Sequence, residues 1–227
     1  MLTFGILRAI PLLAALTDAD LELIYKLAAV KSYRRGDVIF FEDDPGDALH
    51  VVLEGIVRIY RLADDGREKT LAYLNEGEFF GEMAILDGGA RSAVAQAIDA
   101  TRTLALYRKD FTALLADHPH ISLEIIKVLS RRLRQTNAQL MDVVFRDARG
   151  RVLSALYELG QKHGTKSNGG TRINLNLTHQ EIANLAGTAR ETTSRVLAEL
   201  QDEGLVQVVG RRLLVVDMEK LRTLLAS

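Results

Sequence analysis

The pattern of apolar and polar positions divides the chain into regions that predict different secondary structure. Near the start, Thr17 precedes Asp20-Leu21-Glu22-Leu23-Ile24, and a capping hydroxyl before such a pattern predicts a helix. From Tyr33 to about Tyr107, short runs of Val, Ile, Leu, Phe and Tyr alternate with turn sequences such as Arg35-Gly36-Asp37 and Asp64-Asp65-Gly66. Short strands at near-regular spacing predict an antiparallel all-β sandwich or barrel.

A helical period follows from about His120 to Phe145. Its apolar positions alternate between spacings of three and four residues, with Thr136 at the remaining step; they are Ile126, Leu129, Leu133, Leu140 and Val143. Because this stripe is narrow and polar residues flank it densely, we predict a helix that pairs with a second copy in a coiled coil. The alternative is a single amphipathic helix that lies on its own domain. Asp147-Ala148-Arg149-Gly150 breaks the pattern and is the predicted hinge.

Beyond the hinge, the sequence predicts a helix over about Arg151–Gln161 and a polar, turn-rich loop over His163–Gly170. Two capping-box sequences then begin ten residues apart, Thr178 with Glu181 and Thr188 with Glu191. Gly187 turns the chain between them. Two short capped helices joined by a glycine turn are typical of a helix-turn-helix.

The polar side of the second short helix carries residue types that read bases. Arg190 and Arg195 can each pair with guanine in two places, and Glu191 can accept a hydrogen bond from cytosine. The alternative is an ordinary solvated helix face. A β-hairpin near Gly210 completes this part of the chain.

Charge and composition narrow the classes of function. The net charge of the 227 residues is −1, with +2 on residues 147–227 and −3 on the preceding part. This difference weakly favours DNA binding by the C-terminal part. There is no cysteine, which excludes disulfides, thiol redox sensing and Cys-ligated metal sites.

Met1–Leu16 resembles a targeting sequence only in its apolar content, since Arg8 and Pro11 interrupt it and no basic region precedes it. We therefore expect a cytoplasmic protein without a membrane partner.

The most specific segment of the β region is Gly81 to Ala93, GEMAILDGGARSA. A glycine that opens a short turn lets backbone N–H groups approach an anion. Arg91 offers a forked guanidinium to a phosphate, and Ser92 adds a hydroxyl donor. Glu82 cannot bind phosphate but can accept hydrogen bonds from a ribose. Each residue alone also fits an ordinary turn or surface, but together they predict a site for a cyclic nucleotide.

As a whole, this segment resembles the phosphate-binding cassette of cyclic-nucleotide-binding domains. Over essentially its full length the chain resembles the CRP/FNR superfamily of bacterial regulators, in the catabolite-activator branch. The resemblance implies an α+β fold with an N-terminal β-roll domain (1–119), a dimerisation helix (120–146) and a C-terminal winged helix-turn-helix (147–227). It also implies a homodimeric transcription regulator that binds a cyclic nucleotide and double-stranded DNA, with RNA polymerase as a further partner.

The resemblance assigns the ligand contacts to a set drawn from the cassette and the long helix: Gly81, Glu82, Met83, Arg91, Ser92, Thr136 and Asn137. Glu82 and Arg91 would hold the ribose and the cyclic phosphate. Thr136 would reach the adenine, together with Asn137 from the partner subunit. The best-known enterobacterial member has Ser in place of Asn137. The resemblance therefore supports the identity of the base less strongly than it supports the phosphate site, and it favours cAMP over cGMP.

The resemblance also assigns the DNA contacts, which are Thr178, Gln180, Thr188, Arg190, Glu191, Ser194, Arg195 and Arg211. R-E-T-x-x-R opens the recognition helix of this branch, so Arg190 and Arg195 would read guanines in TGTGA-like palindromic half-sites. Leu205–Val216, with Arg211 near its tip, resembles the wing hairpin, whose arginines contact phosphate.

Other classes of protein fit the sequence less well. An enzyme is disfavoured because the five histidines lack metal-ligand spacing, apart from His118-Pro119-His120, which fits a capping turn, and because no nucleophile–base pair emerges. A cyclic-nucleotide module of a kinase or channel is disfavoured by the helix-turn-helix. Within the regulators, a member that binds DNA without nucleotide or with another effector stays open, whereas haem or cluster sensing is disfavoured by the intact cassette.

Overall fold

The computed structural model describes Arg8, Ile10, Leu13 and residues 16–209, 212–215 and 217–226. Most of the stretch Met1–Leu16 that was weighed as a targeting sequence lies outside these residues. Within them, no helix has both the length and the apolar character that crossing a bilayer requires. The chain forms two compact units, residues 1–132 and 133–227, so that the boundary falls inside the long helix.

The first unit is mainly β. The first helix with described bounds is α1 (Asp18–Leu27), which Thr17 caps as predicted: the hydroxyl accepts from the Asp20 N–H, and the Asp20 carboxylate accepts from the Thr17 N–H in return. The strands are β1 (Ala29–Tyr33), β2 (Val38–Phe40), β3 (Ala48–Glu54), β4 (Val57–Leu62), β5 (Glu68–Leu74), β6 (Phe79–Phe80), β7 (Val94–Ala97) and β8 (Thr101–Tyr107), with helix α2 (Glu82–Asp87) between β6 and β7.

These strands form two antiparallel four-stranded sheets, in the orders β1-β8-β3-β6 and β2-β7-β4-β5, which confirms the predicted antiparallel β fold. One core lies between the sheets and includes Val52, Val57 and Phe80. A second core packs α1 and strands β3 and β8 against helix α3 (Arg108–Asp117) and the start of α4 (Pro119–Phe145), through residues such as Phe111 and Ile121. The segment Gly81 to Ala93 connects β6 of one sheet to β7 of the other.

The predicted long helix is α4. Its first turns are buried at Ile121 and Ile125, but the predicted stripe faces solvent in the single chain: Leu133 is 62% exposed and Leu140 is 60% exposed. Leu129 is the exception, since it packs against the second core. Apart from Leu129, the stripe is thus not covered by the described residues of its own chain.

The predicted break in the helical pattern lies within the second unit and is present, with small differences in its bounds. Helix α4 ends at Phe145, and α5 (Ala148–His163) begins after Asp147, whose carboxylate accepts from the Gly150 N–H at 2.7 Å. Three of the four predicted hinge residues, Ala148 to Gly150, therefore already belong to α5, because an Asp at the N-cap starts a helix.

The polar loop predicted over His163–Gly170 is wrong. This stretch forms strands β9 (Gly164–Ser167) and β10 (Gly170–Ile173), paired in a hairpin. Asn168 and Gly169 make the two-residue turn, and Gly169 has a φ of 92°. Asn-Gly is a strong signal for a two-residue hairpin turn, and here the left-handed position falls on the glycine, which adopts it without strain.

The predicted helix-turn-helix is present as α6 (His179–Ala186) and α7 (Arg190–Asp202), with Gly187 in the left-handed conformation between them. The Thr178 capping box is confirmed, but the second capping box is wrong. Ala189 is the N-cap of α7 and offers no side-chain bond. The Thr188 N–H instead donates to the carbonyl of Ala183, so this residue closes the end of α6.

The predicted wing hairpin is β11 (Val206–Val209) paired with β12 (Arg212–Val215). Strand β12 also pairs with β10, so both hairpins form one sheet in the order β11-β12-β10-β9. Helix α8 (Met218–Ala226) follows. The tip residues Gly210 and Arg211 lie outside the described residues.

Candidate functional site

The cassette begins at a glycine that no other residue would replace easily. Gly81 is the N-cap of α2 and has a φ of 78°, in the left-handed region. A Cβ placed there would lie 2.4 Å from Nη1 of Arg91 and 3.1 Å from the carbonyl oxygen of Ala48. Gly81 is therefore required both by its backbone angle and by the close approach of Arg91.

Arg91 lies inside the protein, with only 3% of its surface exposed. Its Nη1 donates to the carbonyl of Gly81 and its Nη2 to that of Ala48, each at 2.8 Å, and its Cζ lies 4.1 Å from the ring centroid of Phe40. Burial lowers the pKa of the guanidinium, and the carboxylate of Asp47, 3.6 Å away, opposes that shift. The buried Nε has no hydrogen-bond partner among the described residues.

Arg91 lies next to a cluster of aromatic rings. The His50 ring stacks on Phe80 with centroids 5.2 Å apart, and Phe40 contacts both rings. Nδ1 of His50 lies 3.2 Å from Oγ1 of Thr103. Burial, helped by the nearby charge of Arg91, lowers the pKa of His50 to about 4, so this ring is neutral at pH 7.

Glu82, the first residue of α2, is also 3% exposed and is paired with a residue that the sequence analysis missed. Its Oε1 accepts from Nη1 of Arg132 at 2.9 Å, and Arg132 also donates to the carbonyl of Phe79. A buried carboxylate without such a partner would be costly. Arg132 lies on α4 four residues before Thr136, and residues four apart share a helix face, which was the available signal.

The structure brings five predicted ligand residues together around α2 in the first unit: Gly81, Glu82, Met83, Arg91 and Ser92. Ser92 and Met83 are exposed, and the Ser92 hydroxyl donates weakly to the Met83 sulfur at 3.6 Å. Thr136 and Asn137 are exposed on the part of α4 that belongs to the second unit. No group of three or more His, Asp or Glu within the described ranges is placed to hold a metal ion.

The predicted DNA-reading residues lie at the surface of the second unit. Arg190, Glu191 and Arg195 are exposed on α7, and Arg195 lies 3.3 Å from Glu199 one turn later. Ser194 Oγ is 2.8 Å from Nδ1 of His179, a contact that ties α7 to the start of α6.

The other predicted DNA contacts have local roles in the fold. The Gln180 amide donates to Asn184 at 2.8 Å, and the Thr178 hydroxyl accepts from the Glu181 N–H at 3.2 Å in the capping box. Thr188 is half-buried in the turn. Arg211 lies outside the described residues.

Comparison with known proteins agrees with this arrangement. The family model described as the cyclic nucleotide-binding domain matches residues 30–118, and that of the Crp-like helix-turn-helix domain matches residues 150–224. The chain is 39% identical over 189 residues to a CRP-like cAMP-activated global transcriptional regulator of Mycobacterium tuberculosis, covering 83% of this chain and 84% of the relative. It is also 39% identical over 202 residues to a cyclic AMP receptor protein of Thermus thermophilus, covering 89% and 90%.

Among solved structures, the c-di-GMP responsive global regulator CLP of Xanthomonas campestris is similar, with a TM-score of 0.77, 27% identity and coverage of 88% of this chain and all of that one. Both domain types thus occur in this chain, and the two relatives align with most of it. The chain belongs to the CRP/FNR family of DNA-binding transcription regulators, a family not known to be enzymatic.

Proposed function

We propose that this regulator binds cAMP at the cassette and, as a homodimer, then binds palindromic DNA with TGTGA-like half-sites. The observation that carries the proposal is the pair formed by Arg91 and Glu82, two buried charged groups of opposite sign. Glu82 is the first residue of α2, and the Arg91 guanidinium donates to the carbonyl of Gly81, the residue before it. A cyclic nucleotide offers the matching pair, an anionic phosphate and a ribose hydroxyl donor.

The phosphate end fits the donors that the cassette presents. The Nε of Arg91 is a buried donor without a partner among the described residues, and a phosphate oxygen would satisfy it. Ser92, which is exposed beside it in sequence, supplies a second donor. At the ribose end, Glu82 accepts from Arg132 through Oε1, and a carboxylate has further lone pairs for a hydroxyl.

Dimer formation is supported by the apolar stripe of α4, which is exposed at Leu133, Leu140 and Val143. An exposed apolar stripe on a helix marks an interaction surface, and heptad spacing favours a second copy of the same helix. Thr136 interrupts the stripe, and we propose that it contacts the base there, together with Asn137 of the other copy.

The DNA-binding function itself belongs to the family; the base contacts are part of the proposal. Arg190 and Arg195 are exposed on α7, the second helix of the motif, and Arg can bind guanine bidentately. We further propose that the DNA-bound dimer contacts RNA polymerase, through which a transcription regulator acts.

The effector is tested by calorimetric titration of the purified protein with cAMP, cGMP and c-di-GMP. The third ligand is included because the similar Xanthomonas structure is that of a c-di-GMP responsive regulator. We expect cAMP to bind most tightly. Tighter binding of either other nucleotide would replace cAMP as the effector, and no binding of any of the three would favour a regulator that acts without nucleotide.

A further inference from the structure

Arg108, the first residue of α3, reaches three backbone carbonyls in two other segments of the first unit. Its Nη1 donates to the carbonyl of Ile85 at 3.1 Å, and its Nη2 donates to those of Ala84 at 2.9 Å and Gly46 at 2.6 Å. Its own backbone N–H donates to the carbonyl of Asp47 at 2.7 Å. The side chain is half-buried. One guanidinium therefore joins the cassette helix, the loop before β3 and the end of β8.

The cassette helix needs such a partner. Helix α2 has only six residues, and a helix of this length is not stable in water by itself. Its last four carbonyls, which include those of Ala84 and Ile85, have no N–H donor within the helix. A cation at a helix C-terminus satisfies these groups and interacts favourably with the helix dipole. Arg108 supplies that cation from outside the helix.

The loop that contains Gly46, which the same guanidinium holds, contacts both α2 and the backbone of Arg91. Gly46 packs so closely on α2 that a Cβ there would lie 2.2 Å from the Ala84 Cβ. In the same loop, the Asp43 N–H donates to the carbonyl of Arg91, and the Arg91 N–H donates to the carbonyl of Asp44, each at 2.9 Å. Fixing this loop therefore fixes the backbone of Arg91, while fixing α2 fixes Glu82.

We infer that Arg108 is a positioning residue for the cyclic nucleotide: it holds Glu82 and Arg91 at their separation without touching the ligand. The inference rests on the proposed function of the cassette. Its three carbonyl contacts use the planar fork of arginine, and the single ammonium of lysine cannot reproduce that geometry. Arg108→Lys should therefore be an intermediate variant, and Arg108→Gln the severe one.

The matched control is Arg58, a buried arginine on β4 of the same unit. Its Nε donates to Thr70 at 2.9 Å and its Nη2 to Glu68 at 2.6 Å, away from the cassette segments. Arg58→Gln removes a comparable set of bonds from the β framework. It separates a general loss of stability, measured as the thermal midpoint, from a specific effect on the cassette.

The experiment has two arms on the full-length variants. In hydrogen–deuterium exchange without nucleotide, we expect Arg108→Gln to accelerate exchange of residues 82–92 about tenfold, the effect of losing one charge-assisted hydrogen bond. Arg108→Lys should give a smaller acceleration, and Arg58→Gln none in this segment. In calorimetry, cAMP should bind Arg108→Gln about tenfold more weakly and bind Arg58→Gln as it binds the wild type.

Unchanged exchange of residues 82–92 in Arg108→Gln, or the same change in Arg58→Gln, overturns the inference. So does unchanged cAMP affinity of Arg108→Gln when the wild type binds cAMP. A wild type that does not bind cAMP contradicts the proposed function instead. The exchange arm contains no nucleotide, and in that case it still decides whether Arg108 orders the segment.

Discussion

The cassette and the recognition helix are built in opposite ways. Arg91 and Glu82 are buried, and each is bound to groups of its own unit. Arg190 and Glu191 are exposed on α7. The cassette charges therefore belong to the fold as much as to the ligand site, whereas Arg190 and Glu191 are accessible to a partner.

This difference predicts two kinds of variant. A change in the cassette should alter stability and nucleotide affinity together, because a buried charged group that loses its partner destabilises the fold. A change on the exposed face of α7 should alter DNA binding alone, because surface substitutions usually leave stability within about 0.5 kcal/mol.

We expect the largest effect from Arg91→Ala. The variant loses a charge-assisted hydrogen bond to the phosphate, about 1.5–3 kcal/mol, so cAMP affinity should fall at least about tenfold. It also leaves the carbonyls of Gly81 and Ala48 without their donor, so the thermal midpoint should fall as well. Calorimetry and thermal unfolding measure the two effects. Arg102→Ala, a change at a more exposed arginine on β8, is the control; an unchanged isotherm in Arg91→Ala would contradict the phosphate assignment.

The next effect concerns the pair of Glu82 and Arg132. Because the Arg132 side chain is partly exposed, we expect each single change, Glu82→Gln or Arg132→Gln, to reduce the free energy of unfolding by about 1–3 kcal/mol. The double variant should lose less than the sum of the two, since both remove the same ion pair. Denaturant unfolding of the four proteins measures the coupling. Strict additivity would mean that the pair contributes nothing as a pair.

On the DNA side, Arg190→Ala should weaken binding by about 1–3 kcal/mol and relax specificity at one base position, with no change in thermal midpoint. The measurement is a binding competition against operators altered at single positions. Arg211→Ala, predicted to remove a phosphate contact, serves as the comparison and should weaken binding to all sequences and reduce the salt dependence. Equal weakening by Arg190→Ala across all sequences would make Arg190 a phosphate contact too.

We expect the smallest effect on nucleotide affinity from Thr136→Ala, since a neutral hydrogen bond contributes about 0.5–1.5 kcal/mol. Its effect on switching should be larger. Thr136 lies on the exposed stripe through which we propose that the two copies meet, so the gain in DNA affinity on adding cAMP should largely disappear. DNA titrations with and without saturating cAMP measure this. An undiminished gain would show that the signal does not pass through the stripe.

Local patterns predicted the elements of this fold better than the contacts between them. Short apolar runs between turns identified the β region, and the Thr178 capping box identified α6, because both signals lie within a few residues. The hairpin at Asn168 and Gly169 also had a local signal and was missed. The prediction of a second capping box was wrong because Thr188 closes the end of α6 instead of capping α7. The spacing of residues in the sequence does not reveal which of the two roles Thr188 takes.

The sequence analysis named ligand residues for the candidate site, and these stay a prediction. It did not name the residues that hold them in place. Arg132 reaches Glu82 from 50 residues away in sequence, and Arg108 reaches Gly46 from 62. Such pairs depend on how the sheets and helices pack, which no local periodicity encodes. Arg91 itself was predicted as a phosphate donor, whereas its bonds to two backbone carbonyls follow only from the fold.

The most direct test of nucleotide-controlled DNA binding is an equilibrium titration of a palindromic duplex with TGTGA half-sites, whose centres are about one helical turn apart. It is run at one fixed salt concentration, because phosphate contacts make affinity depend on salt, with and without saturating cAMP and with a scrambled duplex as control. We expect cAMP to raise the affinity for the palindrome about tenfold or more, and to raise that for the scrambled duplex much less. Equal affinity for the palindrome with and without cAMP would contradict control by this nucleotide.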